Sequence, residues 1–142
     1  MEQKDIGPMM KKINEEIERK VNGEIKKYHL TLAQARVVLF LSEQSENQVP
    51  QKVLEDYLEV SHPTTVNIVK SMCAKKMLET FFDQSDKRVK IVRLIWGNEN
   101  TYETLKKSAA GIERKLLTGF SDEEKKQFVS LMDRMYHNIV VS

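Results

Sequence analysis

Apolar residues recur at helical spacing along most of this chain, and one interval near its middle breaks that spacing. Residues 78–82 and 89–95 are instead typical of short strands, and the second segment alternates apolar and basic side chains. The polar segment 83–88 between them has the length of a hairpin connection. With only five glycines and three prolines in 142 residues, the chain does not fit a turn-rich all-β protein. The pattern predicts a mainly α fold with a small β-hairpin wing.

Four helices are predicted before the hairpin. Thr31 and Gln34 form a T-x-x-Q capping box, which predicts the start of an almost wholly apolar second helix. Residues 42–49 read as a loop, Pro50 suits the first turn of a short third helix, and Ser61 suits the N-cap of a fourth. The first helix is predicted from its apolar stripe, which consists of Ile6, Met10, Ile13, Ile17, Val21, Ile25 and Tyr28.

Two more helices are predicted after the hairpin. Gly119 marks the end of the first, and Ser121 with Glu124 forms a second capping box at the start of the last. The apolar stripes consist of Tyr102, Leu105, Ala109, Ile112 and Leu116 in one helix and Phe128, Leu131, Met132, Met135 and Ile139 in the other. These flanking helices carry more apolar surface than one small module can bury, so we expect them to pair with the same helices of a second chain.

Charge is distributed unevenly along the chain. The net charge is only +2, but residues 61–76 contain three lysines and no carboxylate. Residues 83–93 add four cations against two aspartates, whereas residues 50–60 are net acidic. On a helical wheel of the fourth helix, Val66, Val69, Cys73 and Met77 share one face, and Thr64, Asn67, Ser71 and Lys75 share the opposite one. Hydroxyl, amide and ammonium groups without acids suit phosphates and base edges, so this helix is predicted to contact nucleic acid.

The order of the central elements is that of a winged helix-turn-helix: a buried helix, a short helix, a sharp turn, a polar-faced recognition helix and a β-ribbon. We therefore expect residues 30–97 to form a DNA-binding lobe, flanked by dimerisation helices in residues 1–29 and 98–142. A two-fold dimer would present two recognition helices roughly 34 Å apart, which is one helical turn of DNA.

The sequence resembles the multiple-antibiotic-resistance regulator (MarR) family of bacterial transcription factors. Three stretches carry the resemblance: residues 32–41, residues 61–70, and the wing segment 83–88 with its D-x-x-D-x-R pattern. The resemblance implies a homodimeric winged-helix regulator on a palindromic operator, either a repressor or an activator, and of the two we expect a repressor. It also implies release from that operator by a small, frequently phenolic, effector.

The resemblance implies roles for individual residues as well. Arg88 corresponds to a wing-tip arginine that enters the minor groove of double-stranded DNA, and Asp86 corresponds to the carboxylate that holds it. Lys70 and Lys87 fit phosphate contacts, which supply affinity rather than sequence choice. The predicted DNA-binding residues are Ser61, His62, Thr64, Thr65, Asn67, Lys70, Lys87 and Arg88, with Asp86 as support for the wing.

Some of these positions keep a second interpretation. His62, in the first turn of the recognition helix, fits either a DNA contact or a local cap. Thr65 lies nearer the buried side, which favours a phosphate or capping role over base readout. The chain departs from the family at Met77, where Gly is usual, and at Leu94-Ile95, where Leu-Thr is usual. Both departures lie at joints rather than on the DNA-facing surface.

Catalytic, metal and cofactor sites are not expected. Cys73 is the one cysteine and is predicted to be a small buried hydrophobe, although a redox-switched regulator of the same fold is an alternative. The three histidines lie too far apart in sequence to suggest a metal site. The sequence has no nucleophile elbow, P-loop, dinucleotide glycine fingerprint or H-E-x-x-H motif, so we expect neither enzyme activity nor a cofactor.

Two further expectations concern location and partners. No apolar run approaches the roughly 20 residues of a spanning helix, and residues 1–5 lack the layout of a signal peptide, so we expect a cytoplasmic protein without a membrane partner. A winged helix that assembles with other proteins and binds no DNA is the second alternative. The acid-free face argues against it, because protein-binding faces carry apolar anchors and only Ile68 fits that role there.

Overall fold

The computed structural model describes residues 5–141. Its helices are α1 (Ile6–Ile25), α2 (Leu32–Ser42), α3 (Gln51–Leu58), α4 (His62–Ala74), α5 (Glu99–Leu116) and α6 (Asp122–Val141). Its strands are β1 (Gln48–Pro50), β2 (Leu78–Phe82) and β3 (Lys90–Leu94). The predicted mainly α fold with a small β-ribbon is confirmed. Within the described residues, no helix is long and apolar enough to cross a membrane.

The second helix begins where its sequence predicts. The Gln34 amide N–H donates to the Thr31 hydroxyl over 3.2 Å, and the Thr31 amide N–H donates to Gln34 Oε1 over 3.1 Å. Both arms of the capping box are therefore formed. The helix then buries Val37, Val38 and Leu41 completely, as expected for an apolar helix at the centre of a core.

The sheet contains a strand that the sequence does not predict. Residues 42–49 read as a loop, but 48–50 form β1, which pairs antiparallel with β3 in the order β1-β3-β2. Val92 lies opposite both Val49 and Thr80. Pro50 accordingly ends β1 and precedes α3 as its N-cap residue, and does not lie in the first helical turn. A strand of three residues is too short to show a periodic pattern, and its partner β3 lies more than 40 residues later in the sequence. The sequence therefore gives no sign of β1.

The helix-turn-helix consists of α3, a short turn and α4. Glu59 ends α3 in the left-handed conformation, with φ at 55°. Ser61 caps α4 as predicted. The buried face of α4 consists of Thr65, Val69 and Met72. This face is rotated from the predicted one: Cys73, which was predicted to lie on the buried face, is only half-buried.

The chain divides into two compact units, with the boundary after Ala109. In the first unit, a single core joins the sheet to α2, α3 and α4, and Leu54, Met72 and Val92 are completely buried in it. The apolar stripe of α1 is buried at Ile25 but exposed at Ile6, Met10 and Ile13.

The second unit contains the end of α5 and all of α6. Gly119 adopts a φ of 85°, a conformation that suits glycine, at the predicted break between the two helices. The Ser121 capping box is formed: the Ser121 amide N–H donates to Glu124 Oε1 over 2.8 Å, and the Glu124 amide N–H donates to the Ser121 hydroxyl over 3.1 Å. None of the described residues of α6 is buried.

Candidate nucleic-acid interface

The outer face of α4 carries most of the residues predicted to contact DNA. Ser61 accepts the Thr64 amide N–H over 3.3 Å and donates its own hydroxyl to Thr64 Oγ1 over 2.8 Å, so the first turn is held by local bonds. Ser61, His62, Thr64, Asn67 and Lys70 are all exposed. Ser61, Thr64, Asn67 and Lys70 follow one another at intervals of three, so they form a continuous polar row, and His62 lies beside its start. None of these side chains is a carboxylate.

Thr65 does not join that surface. Its side chain is completely buried, and its hydroxyl donates to the Ser61 carbonyl oxygen over 3.1 Å. A hydroxyl so placed satisfies its own hydrogen bond inside the first turn of the helix. The prediction that Thr65 contacts DNA is therefore corrected: the structure places Thr65 in the core beneath the recognition face.

His62 is anchored to the preceding helix. Its Nδ1 lies 2.7 Å from Oε1 of Glu55 in α3. The same carboxylate accepts a bond from Lys52 Nζ over 2.9 Å. The hydrogen bonds from Lys52 and His62 lower the pKa of Glu55 below its ordinary value. The local partner of His62 is thus a carboxylate seven residues earlier in the chain, and not a backbone group of its own helix.

The wing turn between β2 and β3 is folded by its first aspartate. Asp83 accepts the Ser85 hydroxyl and, over 3.1 Å, the Asp86 amide N–H. The backbone closes the turn where the Asp83 amide donates to the Val89 carbonyl over 2.9 Å and the Val89 amide donates to the Asp86 carbonyl over 3.0 Å. These bonds give a compact turn from residues with short polar side chains.

Arg88 projects from this turn while Asp86 orients it. Arg88 Nε and Nη2 donate to the two carboxylate oxygens of Asp86 over 3.0 and 3.2 Å, in a bidentate pair. The Arg88 amide N–H also donates to Asp86, and these side-chain and backbone bonds lower the pKa of the Asp86 carboxyl. The Arg88 side chain is nevertheless 92% exposed. The guanidinium is therefore oriented and accessible at the same time.

The joint between α4 and the wing accommodates both departures from the family pattern. Lys76 takes the left-handed conformation, with φ at 59°, while Met77 is buried. The Met77 amide N–H donates to the Met72 carbonyl over 2.9 Å, and the Ile95 amide N–H donates to the Met77 carbonyl over 3.0 Å. The positive φ thus falls one residue before the usual glycine position, and the end of α4 is bonded directly to the end of the sheet.

Two residues of this surface were missed by the sequence reasoning. Asp83 carried a usable signal, because an aspartate three residues before the bonded amide is the pattern of a side-chain-closed turn. Glu55 carried none, since its contact with His62 crosses from one helix to the next.

Cys73 and the histidines form no reactive centre. Cys73 is half-buried, and burial raises the pKa of its thiol, which disfavours the reactive thiolate. Among residues 5–141, no group of three or more His, Cys, Asp or Glu side chains could hold a metal ion. The arrangement thus offers hydrogen-bond donors, acceptors and positive charge from α4 and the wing.

Comparisons of the sequence and of the structure with known proteins both identify proteins of the MarR family as similar. A family model of the MarR family matches residues 28–89, which include the helix-turn-helix and most of the wing. No curated protein matches the sequence significantly.

Solved structures match over nearly the whole chain. MepR from Staphylococcus aureus in complex with DNA has a TM-score of 0.83 at 18% identity, and the match covers 96% of this chain and 99% of that one. A mutant MarR from Escherichia coli with operator DNA has a TM-score of 0.77 at 18% identity, with 92% of each chain covered. BpsR from Bordetella bronchiseptica, whose DNA binding is regulated by 6-hydroxynicotinic acid, has a TM-score of 0.77 at 20% identity, with 94% of each chain covered.

At these identities the structural likeness establishes the fold, and the family model adds the sequence match across the recognition helix and wing. The described chain has the winged-helix fold of MarR-family transcription regulators over more than nine-tenths of its length. Over residues 28–89 the sequence matches the model of the MarR family, so this chain is similar to that family across its helix-turn-helix and most of its wing.

Proposed function

We propose that this protein is a DNA-binding transcriptional repressor that binds a palindromic operator as a homodimer and is released by a small-molecule effector. The observation that carries the proposal is the acid-free exposed face of α4, joined directly to a wing that presents an oriented arginine. In this proposal residues 30–97 bind DNA, whereas residues 1–29 and 98–142 form the dimer.

Each group on this surface has a role in the proposed complex. Thr64 and Asn67 approach base edges in the major groove, and Ser61 and Lys70 contact the phosphates beside them. Arg88 enters the adjacent minor groove, where a narrow groove concentrates negative potential, and Lys87 contacts its phosphate backbone. Asp86 keeps the Arg88 fork oriented before binding, which lowers the entropy lost on association.

The exposed apolar residues of the flanking helices support the homodimer. In α6, Phe128, Leu131, Met132 and Met135 are exposed along one stripe. Monomeric proteins seldom expose large contiguous apolar surfaces, and a two-fold symmetric contact covers the same surface on both chains. A second copy of the chain is therefore the proposed partner of these helices.

A groove beside α1 supports the effector. It has a volume of about 540 Å3 and is lined by Glu18 and Asn22 of α1 and by Lys26, His29 and Thr31 in the segment between α1 and α2, among others. Small-molecule sites have volumes of about 300–1,000 Å3. Lys26 and His29 offer donors to an anionic ring substituent, so a phenolate or aromatic acid is the proposed class.

The first experiment measures fluorescence anisotropy against a pool of random duplex DNA at several salt concentrations. Wild type should bind with a steep salt dependence, because phosphate contacts release counterions. Arg88→Ala should lose roughly 10- to 100-fold in affinity, since a hydrogen bond to a charged group contributes roughly 1.5–3 kcal/mol. Arg114→Ala, which removes the same charge from an exposed site on α5, should bind like wild type.

Absence of salt-dependent binding by the wild-type protein would contradict the proposed DNA-binding function. Once the operator has been selected from the pool, phenolates and aromatic acids are titrated into the complex. An effector of the proposed class lowers operator affinity, and Lys26→Ala weakens that response without changing affinity in its absence. An unchanged affinity across chemically varied ligands would contradict the effector part of the proposal.

A further inference from the structure

We propose that Glu55 fixes the His62 ring so that its Nε2 accepts a hydrogen bond from an exocyclic amino group of adenine or cytosine in the major groove. This makes His62 a residue that determines sequence specificity and Glu55 its positioning residue, from the first helix of the helix-turn-helix. The inference rests on the DNA-binding function proposed above.

The contact joins the two helices across the turn. Glu55 lies in α3 and His62 is the first residue of α4, and their Oε1 and Nδ1 atoms are 2.7 Å apart. The Glu55 side chain is only 11% exposed, whereas the His62 side chain is 67% exposed. The largely buried carboxylate of Glu55 thus holds the exposed imidazole ring of His62 from its inner side.

The chemistry of the pair determines which ring nitrogen faces outward. Lys52 Nζ, which also pairs with Asp56, lies 2.9 Å from the other oxygen of the Glu55 carboxylate. The bonds from Lys52 and His62 keep the pKa of Glu55 below its ordinary value, so the carboxylate is ionised and acts only as an acceptor. His62 Nδ1 must therefore carry the donated proton. Among the described residues no group bonds Nε2, which leaves that atom for a ligand.

A neutral imidazole with its proton on Nδ1 has an acceptor at Nε2. In the major groove, adenine N6 and cytosine N4 are donors, while guanine offers only the acceptors N7 and O6. The first residues of a recognition helix are those that reach base edges. An Nε2 acceptor at this position consequently favours adenine or cytosine and disfavours guanine on the contacted strand.

The test uses an operator selected from random duplexes at pH 8. Selection is repeated with His62→Ala to find the base position whose preference relaxes. That base is then replaced by an analogue that lacks the exocyclic amino group. Purine replaces adenine, and 2-pyrimidinone replaces cytosine. We expect this replacement to weaken wild-type binding roughly 3- to 10-fold, the value of one hydrogen bond, and to leave His62→Ala binding unchanged.

Variants of Glu55 separate positioning from general stability. Glu55→Ala should lose the amino-group discrimination, since nothing then holds the ring. Glu55→Gln should retain most of it, because the amide oxygen still accepts the Nδ1 proton. Lys52→Ala is the matched control: it removes the ammonium that pairs with the other oxygen of the same carboxylate but leaves the His62 bond in place, and should discriminate like wild type. Thermal unfolding of each variant verifies that the protein is folded.

The outcomes distinguish the inference from the proposed function. If wild type binds an operator but selects guanine at the His62-dependent position, or if Glu55→Ala retains full discrimination, the inference is overturned while the DNA-binding function stands. Equal loss in Glu55→Gln and Glu55→Ala also overturns it. If wild type binds no duplex, both are overturned.

Discussion

The winged-helix region and the last helix both contain rows of apolar side chains. Within the described chain those of the winged-helix region are buried, whereas those of the last helix are exposed. In α2, Val37, Val38 and Leu41 are completely buried against neighbouring elements of the same unit. In α6, Leu131 is 53% exposed and no described residue is buried. The first unit, which contains the helix-turn-helix, therefore has a buried core, whereas the apolar side chains of α6 are exposed in the described chain.

The difference teaches that the two regions obtain their order from different interactions. The lobe is specified by long-range packing among three helices and a sheet, which fixes each element in position. The beginning of α6 is specified by a local capping box, and a cap determines where a helix starts but not what it packs against. Substitutions should accordingly affect folding in the first region and assembly in the second.

The largest expected effect concerns assembly through α6. In Met132→Asp, a two-fold dimer would contain two copies of an uncompensated carboxylate in its apolar contact, each costing roughly 3–5 kcal/mol if fully buried. We expect the variant to remain folded in its winged-helix lobe but to sediment as a monomer. Operator affinity should fall with it, because one lobe contacts only one half-site.

Ser130→Asp is the matched control for this experiment. It adds the same charge two residues away, about 200° around the helix from Met132 and off the apolar stripe. We expect it to retain the mass and operator affinity of wild type in sedimentation and anisotropy measurements. If the Met132→Asp protein remained dimeric, the apolar row of α6 would not form the contact between two copies of the chain, and the proposed difference between the two regions would be wrong.

The next effect concerns the core of the lobe. Leu54 is completely buried, whereas its neighbour Val53 is 43% exposed. Leu54→Ala should lower the free energy of unfolding by roughly 2–5 kcal/mol, through lost apolar burial and the cavity that remains. Val53→Ala should change it by less than about 1 kcal/mol. Denaturant titration of both variants, with the slope checked for constancy, gives the two values. Equal losses would mean that the lobe is not packed as the structure describes.

The sequence predicts what depends on local spacing, and it misses what depends on contacts across elements. The helix periods, both capping boxes, the Ser61 cap and the β-ribbon are all short-range signals, and the structure contains each of them. Strand β1 has no such signal, because its three residues acquire their role only by pairing with β3.

The candidate site divides along the same line. The Asp86–Arg88 pair is two residues apart and is readable from the wing motif. The burial of Thr65 depends on the exact rotation of α4 against the core, which a helical wheel gives only to within about one residue. The contact between Glu55 and His62 spans seven residues and a turn, so neither residue type nor spacing indicates it.

The smallest expected effect tests the local cap of α6. The Ser121 amide and hydroxyl lower the pKa of Glu124 below its ordinary value of 4.5. A carboxyl whose pKa is lower in the folded state contributes stability above its ordinary pKa, and this contribution is lost as the pH falls through the lowered value. Glu124→Gln keeps an acceptor for the Ser121 amide but has no titrating group.

We therefore expect wild type to be slightly more stable than Glu124→Gln near pH 6, and the difference to vanish near pH 3. The difference near pH 6 reflects the favourable placement of a negative charge at a helix N-terminus, which a neutral amide lacks. Glu123→Gln, one residue away and without a bond to Ser121 in the described cap, should show a smaller dependence on pH. The measurement is thermal unfolding followed by circular dichroism across this pH range. If the stability difference from wild type depends on pH equally in Glu123→Gln and Glu124→Gln, the cap does not order α6 locally. The contrast between a locally specified helix and a lobe specified by packing would then no longer hold.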